Sequence, residues 1–157
     1  MTLAEQIIQT YLTTGWMIAT AESCTGGLVA SAITDVSGSS AVFDRGFITY
    51  SNSAKSEMLG VDADVIASSG AVSKVVAQHM AIGVLTHTKA HVSVAVTGIA
   101  GPTGGTAEKP VGLVHFACAV RGGRIQHVER RFGELGRKQI RQGAVLQALQ
   151  LLLEAVR

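Results

Sequence analysis

The residues with the clearest chemical potential lie in one short polar segment, Thr20-Ala21-Glu22-Ser23-Cys24-Thr25-Gly26-Gly27, between two apolar runs. The first run predicts the end of a buried strand and the second predicts a helix, so Ser23 would lie at a strand-to-helix turn. Backbone N–H groups at such a turn are free to bind a ligand, and glycines allow its close approach. Ser23 could therefore be a nucleophile, a helix N-cap or both. Cys24 is a rival nucleophile, but no histidine nearby would generate its thiolate.

A lysine is the best candidate for the base that would activate this hydroxyl. None of the five histidines lies in a loop that follows a predicted strand and none forms an HExxH motif, so neither a histidine base nor a metal site is expected. Lysine can act as a base when burial and nearby positive charge lower its pKa. Lys55 is predicted on the first turn of a helix after Tyr50, facing the strand end. The alternative for Lys55 is an ordinary surface lysine.

A glycine-rich loop is the third candidate segment. Residues 98–106 contain four glycines and one proline but form neither a Walker A loop nor a GxGxxG fingerprint. The loop could be a phosphate-binding nest or a structural turn. Lys109, just beyond it, and Arg141, on the last predicted helix, are either solvated charges or phosphate contacts.

The predicted elements bring these segments to one edge of a sheet. Strands are predicted over residues 16–21, 46–50 and 91–97, the last of them central. The loops that follow them are 22–27, 51–55 and 98–105. If the three strands are parallel, their carboxyl ends open on the same side and the loops form one crevice.

The remaining pattern predicts helices and a hairpin around that sheet. An N-terminal helix ends at Gly15, and further helices are predicted over 27–34, from an Asn52 cap to Met58, over 74–88 after a Ser73 cap, and over 136–156. Strands over 111–120 and 124–132 would form a hairpin. This order favours one domain over residues 1–157, an α/β protein built as a three-layer α/β/α sandwich with a mixed, mostly parallel sheet.

Composition limits the kinds of partner that the protein could bind and the cellular compartment in which it is expected. Hydrophobic residues make up 47% of the 157 residues and charged residues only 15%, which predicts that part of the surface is buried in a homo-oligomer. The net charge of +2, without a basic cluster interleaved with aromatics, argues against nucleic-acid binding. Cys24 and Cys118 do not suggest a disulfide framework. With no signal peptide or apolar run of membrane-spanning length, a cytoplasmic protein without membrane association is expected.

Four motifs together resemble those of one family, the CinA C-terminal domain family of nicotinamide-nucleotide amidases. The segment 20–27 is similar to its TAESCTGG signature, and residues 46–52 with Lys55 are similar to its GxxTYSNxxK block. Residues 70–73 match GAVS, and residues 97–105 with 109–112 match its glycine-rich motif. Thr103 stands where the family often has Asp. The resemblance covers essentially the whole chain and corresponds to the stand-alone form, without the larger molybdopterin-binding-like domain of some members.

The resemblance implies an amidohydrolase of the pyridine nucleotide (NAD) salvage cycle. It would hydrolyse the carboxamide of nicotinamide mononucleotide to nicotinate mononucleotide and ammonia, with a serine/lysine dyad and neither metal nor cofactor. By motif position the resemblance implies that Ser23 is the nucleophile and Lys55 the base, with Tyr50 as a third catalytic residue. The expected substrate-binding residues are Glu22, Thr25, Gly26, Gly27, Asn52, Thr97, Gly98, Gly101, Lys109 and Arg141.

Two further expectations accompany this function. Backbone N–H groups of residues 25–27, at a helix N-terminus, would stabilise the oxyanion that forms when Ser23 attacks the amide. The alternative function is a nucleotide-binding or competence/damage-associated regulatory module that has the same pocket but no turnover.

Overall fold

The computed structural model describes all 157 residues as six α-helices, one short 3-10 helix and five strands. The helices are α1 (Leu3–Thr14), α2 (Leu28–Thr34), α3 (Asn52–Leu59), α4 (Ala63–Ser69), α5 (Lys74–His87) and α6 (Arg137–Glu154). The strands are β1 (Ile18–Glu22), β2 (Phe43–Ile48), β3 (Val92–Gly98), β4 (Leu113–Val120) and β5 (Ile125–Arg131). The 3-10 helix, Ser39–Ala41, precedes β2.

The five strands form one mixed sheet in the order β2-β1-β3-β4-β5. β1 runs parallel to both β2 and β3, whereas β4 is antiparallel to β3 and to β5. Four of the five strands therefore point the same way, and β3 is central as predicted. β1, β2 and β3 end at the same edge, so the loops after them meet there.

Helices cover both faces of the sheet and enclose two separate cores. One core of 22 buried residues includes side chains of α1, α2 and α6. The other, of 14 buried residues, includes those of α5 and of the segment around α3 and α4. Along β1, Ile18 packs into the first core while Ala19 and Ala21 pack into the second, the alternation expected of a strand buried on both faces. The predicted three-layer sandwich is confirmed.

Several element boundaries differ from the sequence prediction. β2 begins at Phe43 and ends at Ile48, earlier than the predicted strand over 46–50. The carbonyls of Thr49 and Tyr50 bind Lys55 instead of continuing the strand, and this tertiary contact overrides the β propensity of these residues. The cap of α3 is Ser51, whose Oγ accepts a hydrogen bond from Ala54 N, and not Asn52. α4 was not predicted, and a single carboxylate, that of Asp62, caps it.

No helix in the chain is both long enough and apolar enough to span a membrane.

Candidate active site

The three loops at the shared strand edge enclose a cavity of about 260 Å³. Its lining includes Ser23 and Cys24 from the first loop, Tyr50, Asn52 and Lys55 from the second segment, and residues 97–101 with Thr103 and Gly104 from the third. The predicted crevice is therefore present.

Ser23 and Lys55 meet at this cavity. The Lys55 ammonium donates a hydrogen bond of 3.1 Å to Ser23 Oγ and others of 2.9 Å and 3.4 Å to the carbonyls of Thr49 and Tyr50. Ser23 extends β1 by one further bond, from its amide to the carbonyl of Val96, which fixes its position. Lys55 is only 1% exposed, so it is not the ordinary surface lysine that was the alternative. The two side chains are placed for proton exchange between a hydroxyl and an amine.

Burial makes neutral Lys55, the form that can accept a proton, more populated than in a surface lysine. Desolvation lowers the pKa of its ammonium, since removing a charge from water disfavours the charged form. A Cys24 thiolate would oppose this shift. However, burial raises the pKa of the Cys24 thiol to about 11, which keeps it neutral and unreactive at physiological pH. No carboxylate forms an ion pair with Lys55.

Glu22, and not Ser23, occupies the amino end of α2. Its buried carboxylate accepts hydrogen bonds from the amides of Val29 (2.8 Å) and Ala30 (3.1 Å). The N-cap residue Gly27 provides no side-chain cap. The N-cap alternative for Ser23 is therefore excluded, and its hydroxyl is free to contact Lys55. Glu22 lies behind the turn and does not line the cavity.

Arg141 holds the turn after Ser23 from outside the cavity. Its Nε donates to the carbonyl of Cys24 (3.0 Å) and its Nη2 to that of Thr25 (3.3 Å). Gly26 allows this approach, because a Cβ there would lie 3.3 Å from Arg141 Nη2. Thr25, Gly26 and Gly27 do not line the cavity. From this turn Ser23 and Cys24 line the cavity, and the Cys24 amide donates no hydrogen bond to a backbone carbonyl.

Tyr50 contributes to the site through two groups. Its carbonyl accepts from Lys55 Nζ and from Ser23 Oγ, both at 3.4 Å. The residue is 60% exposed, and its hydroxyl accepts a hydrogen bond of 3.0 Å from Arg137 Nη2. Arg137 Nη1 donates to the carbonyl of Gly101 at 2.8 Å, so this guanidinium connects the second and third loops. Sequence reasoning missed Arg137; the only signal was the basic group of Arg137, Lys138 and Arg141 at the start of the last helix.

The glycine-rich loop forms the opposite wall. Thr97 Oγ1 donates to the carbonyl of Ala71 at 2.9 Å, which ties β3 to the loop before α5. Gly101 has φ +73°, and a Cβ there would come within 2.5 Å of Val111 Cγ1, so a larger residue would displace the wall. The amides of Ala100, Gly101 and Gly104 donate no hydrogen bond within the chain. They remain available to a ligand in the cavity.

Lys109 lies behind this wall. Its ammonium donates to the carbonyl of Ser69 at the end of α4. The residue does not line the cavity. The structure also contains no group of three or more histidine, cysteine or acidic side chains placed to hold a metal ion.

Comparison with known proteins identifies close relatives of this arrangement. The CinA C-terminal domain model matches residues 1–156. The chain is 52% identical to nicotinamide-nucleotide amidohydrolase PncC of Enterobacter agglomerans, over 88% of this chain and 84% of that protein. It is 50% identical to the PncC protein of Escherichia coli strain K12, over 97% and 92% of the two chains. The solved structure of competence/damage inducible protein CihA from Agrobacterium tumefaciens has a TM-score of 0.97 at 52% identity, covering 99% of this chain and 94% of that one.

Proposed function

The chain belongs to the CinA C-terminal domain family, and on this basis we propose that it is a nicotinamide-nucleotide amidohydrolase with a Ser23/Lys55 dyad. The names of the PncC relatives support the substrate and the reaction. The single observation that carries the dyad is the 3.1 Å contact between Lys55 Nζ and Ser23 Oγ at a buried site. The reaction converts nicotinamide mononucleotide and water into nicotinate mononucleotide and ammonia, a step of pyridine nucleotide salvage.

The first step is attack by the serine on the carboxamide. Ser23 Oγ forms a bond to the amide carbon while neutral Lys55 Nζ accepts the hydroxyl proton. The carbonyls of Thr49 and Tyr50 hold the resulting ammonium, because each already accepts a hydrogen bond from it. The depressed pKa of Lys55 supplies a fraction of neutral amine before substrate arrives.

The negative charge that develops on the carboxamide oxygen needs hydrogen-bond donors. The unpaired amide of Cys24 directly follows the nucleophile, a common position for an oxyanion-hole donor. Ala100 and Gly101, whose amides also donate no backbone hydrogen bond, line the same cavity and are further candidates. Each such donor contributes about 10²–10³ in rate in well-studied hydrolases.

The second half of the reaction releases both products. Protonated Lys55 returns its proton to the amide nitrogen, the C–N bond breaks, and ammonia leaves an ester between Ser23 and the nicotinoyl group. Lys55, again neutral, accepts a proton from water as the water oxygen attacks the ester carbon. The bond from Ser23 Oγ to that carbon then breaks, Ser23 regains a proton from Lys55, and nicotinate mononucleotide departs.

Ammonia release from nicotinamide mononucleotide tests this proposal. Ser23→Ala and Lys55→Met are each expected to lower kcat by at least about 10³-fold, because the members of a nucleophile–base pair act as a unit. The matched controls are Ser68→Ala and Lys89→Met, which alter exposed residues outside the cavity. Circular dichroism and thermal unfolding establish that all four variants fold.

Two results would count against the proposal. Wild-type-like turnover in Ser23→Ala would remove the nucleophile assignment. Saturable binding of nicotinamide mononucleotide to the wild type, seen as a thermal shift without any ammonia, would instead favour the non-catalytic nucleotide-binding module.

A further inference from the structure

Arg141 is the only side chain that binds the backbone of the turn over residues 24–27. Its Nε donates to the Cys24 carbonyl at 3.0 Å and its Nη2 to the Thr25 carbonyl at 3.3 Å. The Cys24 carbonyl accepts no backbone hydrogen bond, so the guanidinium is its one partner. The side chain starts from a rigid helix, because Ile140 and Ala144 of α6 are fully buried in the core.

The turn needs such a contact because its own residues allow several conformations. Gly26 and Gly27 have positive φ angles of +57° and +106°, and glycine has more backbone freedom than any other residue. Within the turn the backbone forms only two hydrogen bonds, from the Gly26 amide to the Ser23 carbonyl and from the Leu28 amide to the Thr25 carbonyl. The two bonds from Arg141 therefore double that number and connect the turn to α6.

These bonds fix the peptide groups that follow Ser23. The carbonyl of Cys24 and the amide of Thr25 belong to one planar peptide group, and the carbonyl of Thr25 and the amide of Gly26 belong to the next. Holding both carbonyls restricts rotation of Cys24, whose own amide is a candidate donor to the oxyanion. A displacement of about 1 Å in a reacting geometry can cost about 10²-fold in rate, even when its cause lies outside the site.

The guanidinium also brings an uncompensated positive charge to this turn. None of the three ion pairs of the chain includes Arg141, and an arginine side chain stays protonated in proteins. Its charge acts on the cavity wall: burial raises the pKa of the Cys24 thiol, and the Arg141 charge opposes that rise. A fixed positive charge on this side favours the negative charge that develops on the carboxamide oxygen.

We propose that Arg141 is a positioning residue of the amidohydrolase reaction, which fixes the turn that carries Ser23 and the Cys24 amide. This inference rests on the proposed function, since it concerns the same reaction. Arg141 does not line the catalytic cavity. Its loss should therefore slow the chemical step and leave the affinity for the substrate unchanged.

Arg121 provides a matched control for this role. Its guanidinium also donates to backbone carbonyls, those of Leu85, Thr88 and Ala90. It lies at the opposite edge of the sheet, because its amide binds the carbonyl of His91, directly before β3, whereas the cavity lies where β3 ends. Arg121→Ala therefore removes the same kind of contact at a distance from Ser23.

The test is the kinetics of ammonia release from nicotinamide mononucleotide. Arg141→Ala is expected to lower kcat and kcat/KM together by at least about tenfold, because the lost contact acts in the transition state. Arg121→Ala should keep kcat within about twofold of the wild type, although both variants lower the Tm by leaving carbonyls without their donor. Guanidinium at a millimolar, non-denaturing concentration should raise kcat of Arg141→Ala at least about threefold by binding the same carbonyls. If Arg141→Ala does not fold, Arg141→Lys replaces it, with an expected loss in kcat of at least about threefold, since an ammonium lacks the planar fork.

Two kinetic results would overturn the positioning role. A raised KM with unchanged kcat would make Arg141 a substrate contact, and equal losses of kcat in Arg141→Ala and Arg121→Ala would indicate a general loss of structure.

If the wild type releases no ammonia, the proposed function fails, and hydrogen exchange measured by NMR tests the contact by itself. The amides of Gly26 and Leu28 should then exchange at least about tenfold faster in Arg141→Ala than in the wild type or Arg121→Ala. Exchange at the wild-type rate would show that Arg141 does not hold the turn.

Discussion

At the scale of single residues, the protonation of the site's side chains depends on their neighbours. Some neighbours exclude water from a side chain, and others replace the hydrogen bonds that water would make with it. Lys55 is buried, has no carboxylate partner and donates to two carbonyls and one hydroxyl. That environment lowers the pKa of its ammonium while leaving hydrogen bonds for the charged form once it accepts a proton. Cys24, the rival nucleophile, is buried without a base, and burial raises the pKa of its thiol. The proposed roles of Ser23 and Lys55 therefore depend on burial as much as on residue type.

The depressed pKa of Lys55 predicts how activity depends on pH. Because neutral Lys55 is the proposed base, kcat/KM should rise with pH as Lys55 loses its proton, and reach a plateau below the ordinary pKa of a lysine. Lys55→Arg, which stays protonated, should lose at least about 10²-fold in kcat/KM across the range. Initial rates of ammonia release between pH 6 and pH 10 provide the measurement. A flat wild-type profile, or one shared by Lys55→Arg, would contradict the role of Lys55.

At the scale of elements, the placement of Ser23, the proposed nucleophile, depends on the strand-to-helix turn between β1 and α2. Glu22 caps α2 from inside the sheet, and Arg141 of α6 holds the outer carbonyls of the turn. Sequence patterns predicted the turn, because an apolar strand followed by Ser, Thr and Gly residues has few alternatives. They did not predict that Glu22 caps α2. Its carboxylate binds amides seven and eight residues further along the chain. Spacing alone does not distinguish such a cap from an acid that binds a ligand.

Glu22→Gln should destabilise the fold through this cap. One of the two carboxylate acceptors becomes an amide donor facing a backbone N–H, which leaves that amide unsatisfied at a cost of about 1–3 kcal/mol. Urea unfolding of the variant and of the exposed control Glu57→Gln measures the effect. Equal free energies of unfolding for the two variants would show that Glu22 does not stabilise the α2 terminus.

At the scale of the whole molecule, the sandwich follows from features that the sequence displays clearly. Apolar strands alternate with amphipathic helices, and the hairpin around Gly122 sets the final strand pair. The convergence of three loops was predictable because parallel strands end at one edge. The role of Arg137 was not, since it depends on where α6 crosses the strand ends, and no local pattern encodes that crossing. Oligomerisation and cellular location stay predictions, made from composition alone.

Interception of the acyl-enzyme with hydroxylamine tests the central claim, covalent catalysis by Ser23, most directly. If an ester between Ser23 and the nicotinoyl group forms, hydroxylamine added during turnover should divert product from nicotinate mononucleotide to its hydroxamate, in proportion to its concentration. Ser23→Ala should yield neither product. Chromatography resolves the two products. Formation of the acid alone at every hydroxylamine concentration, or hydroxamate formation by Ser23→Ala, would contradict the account.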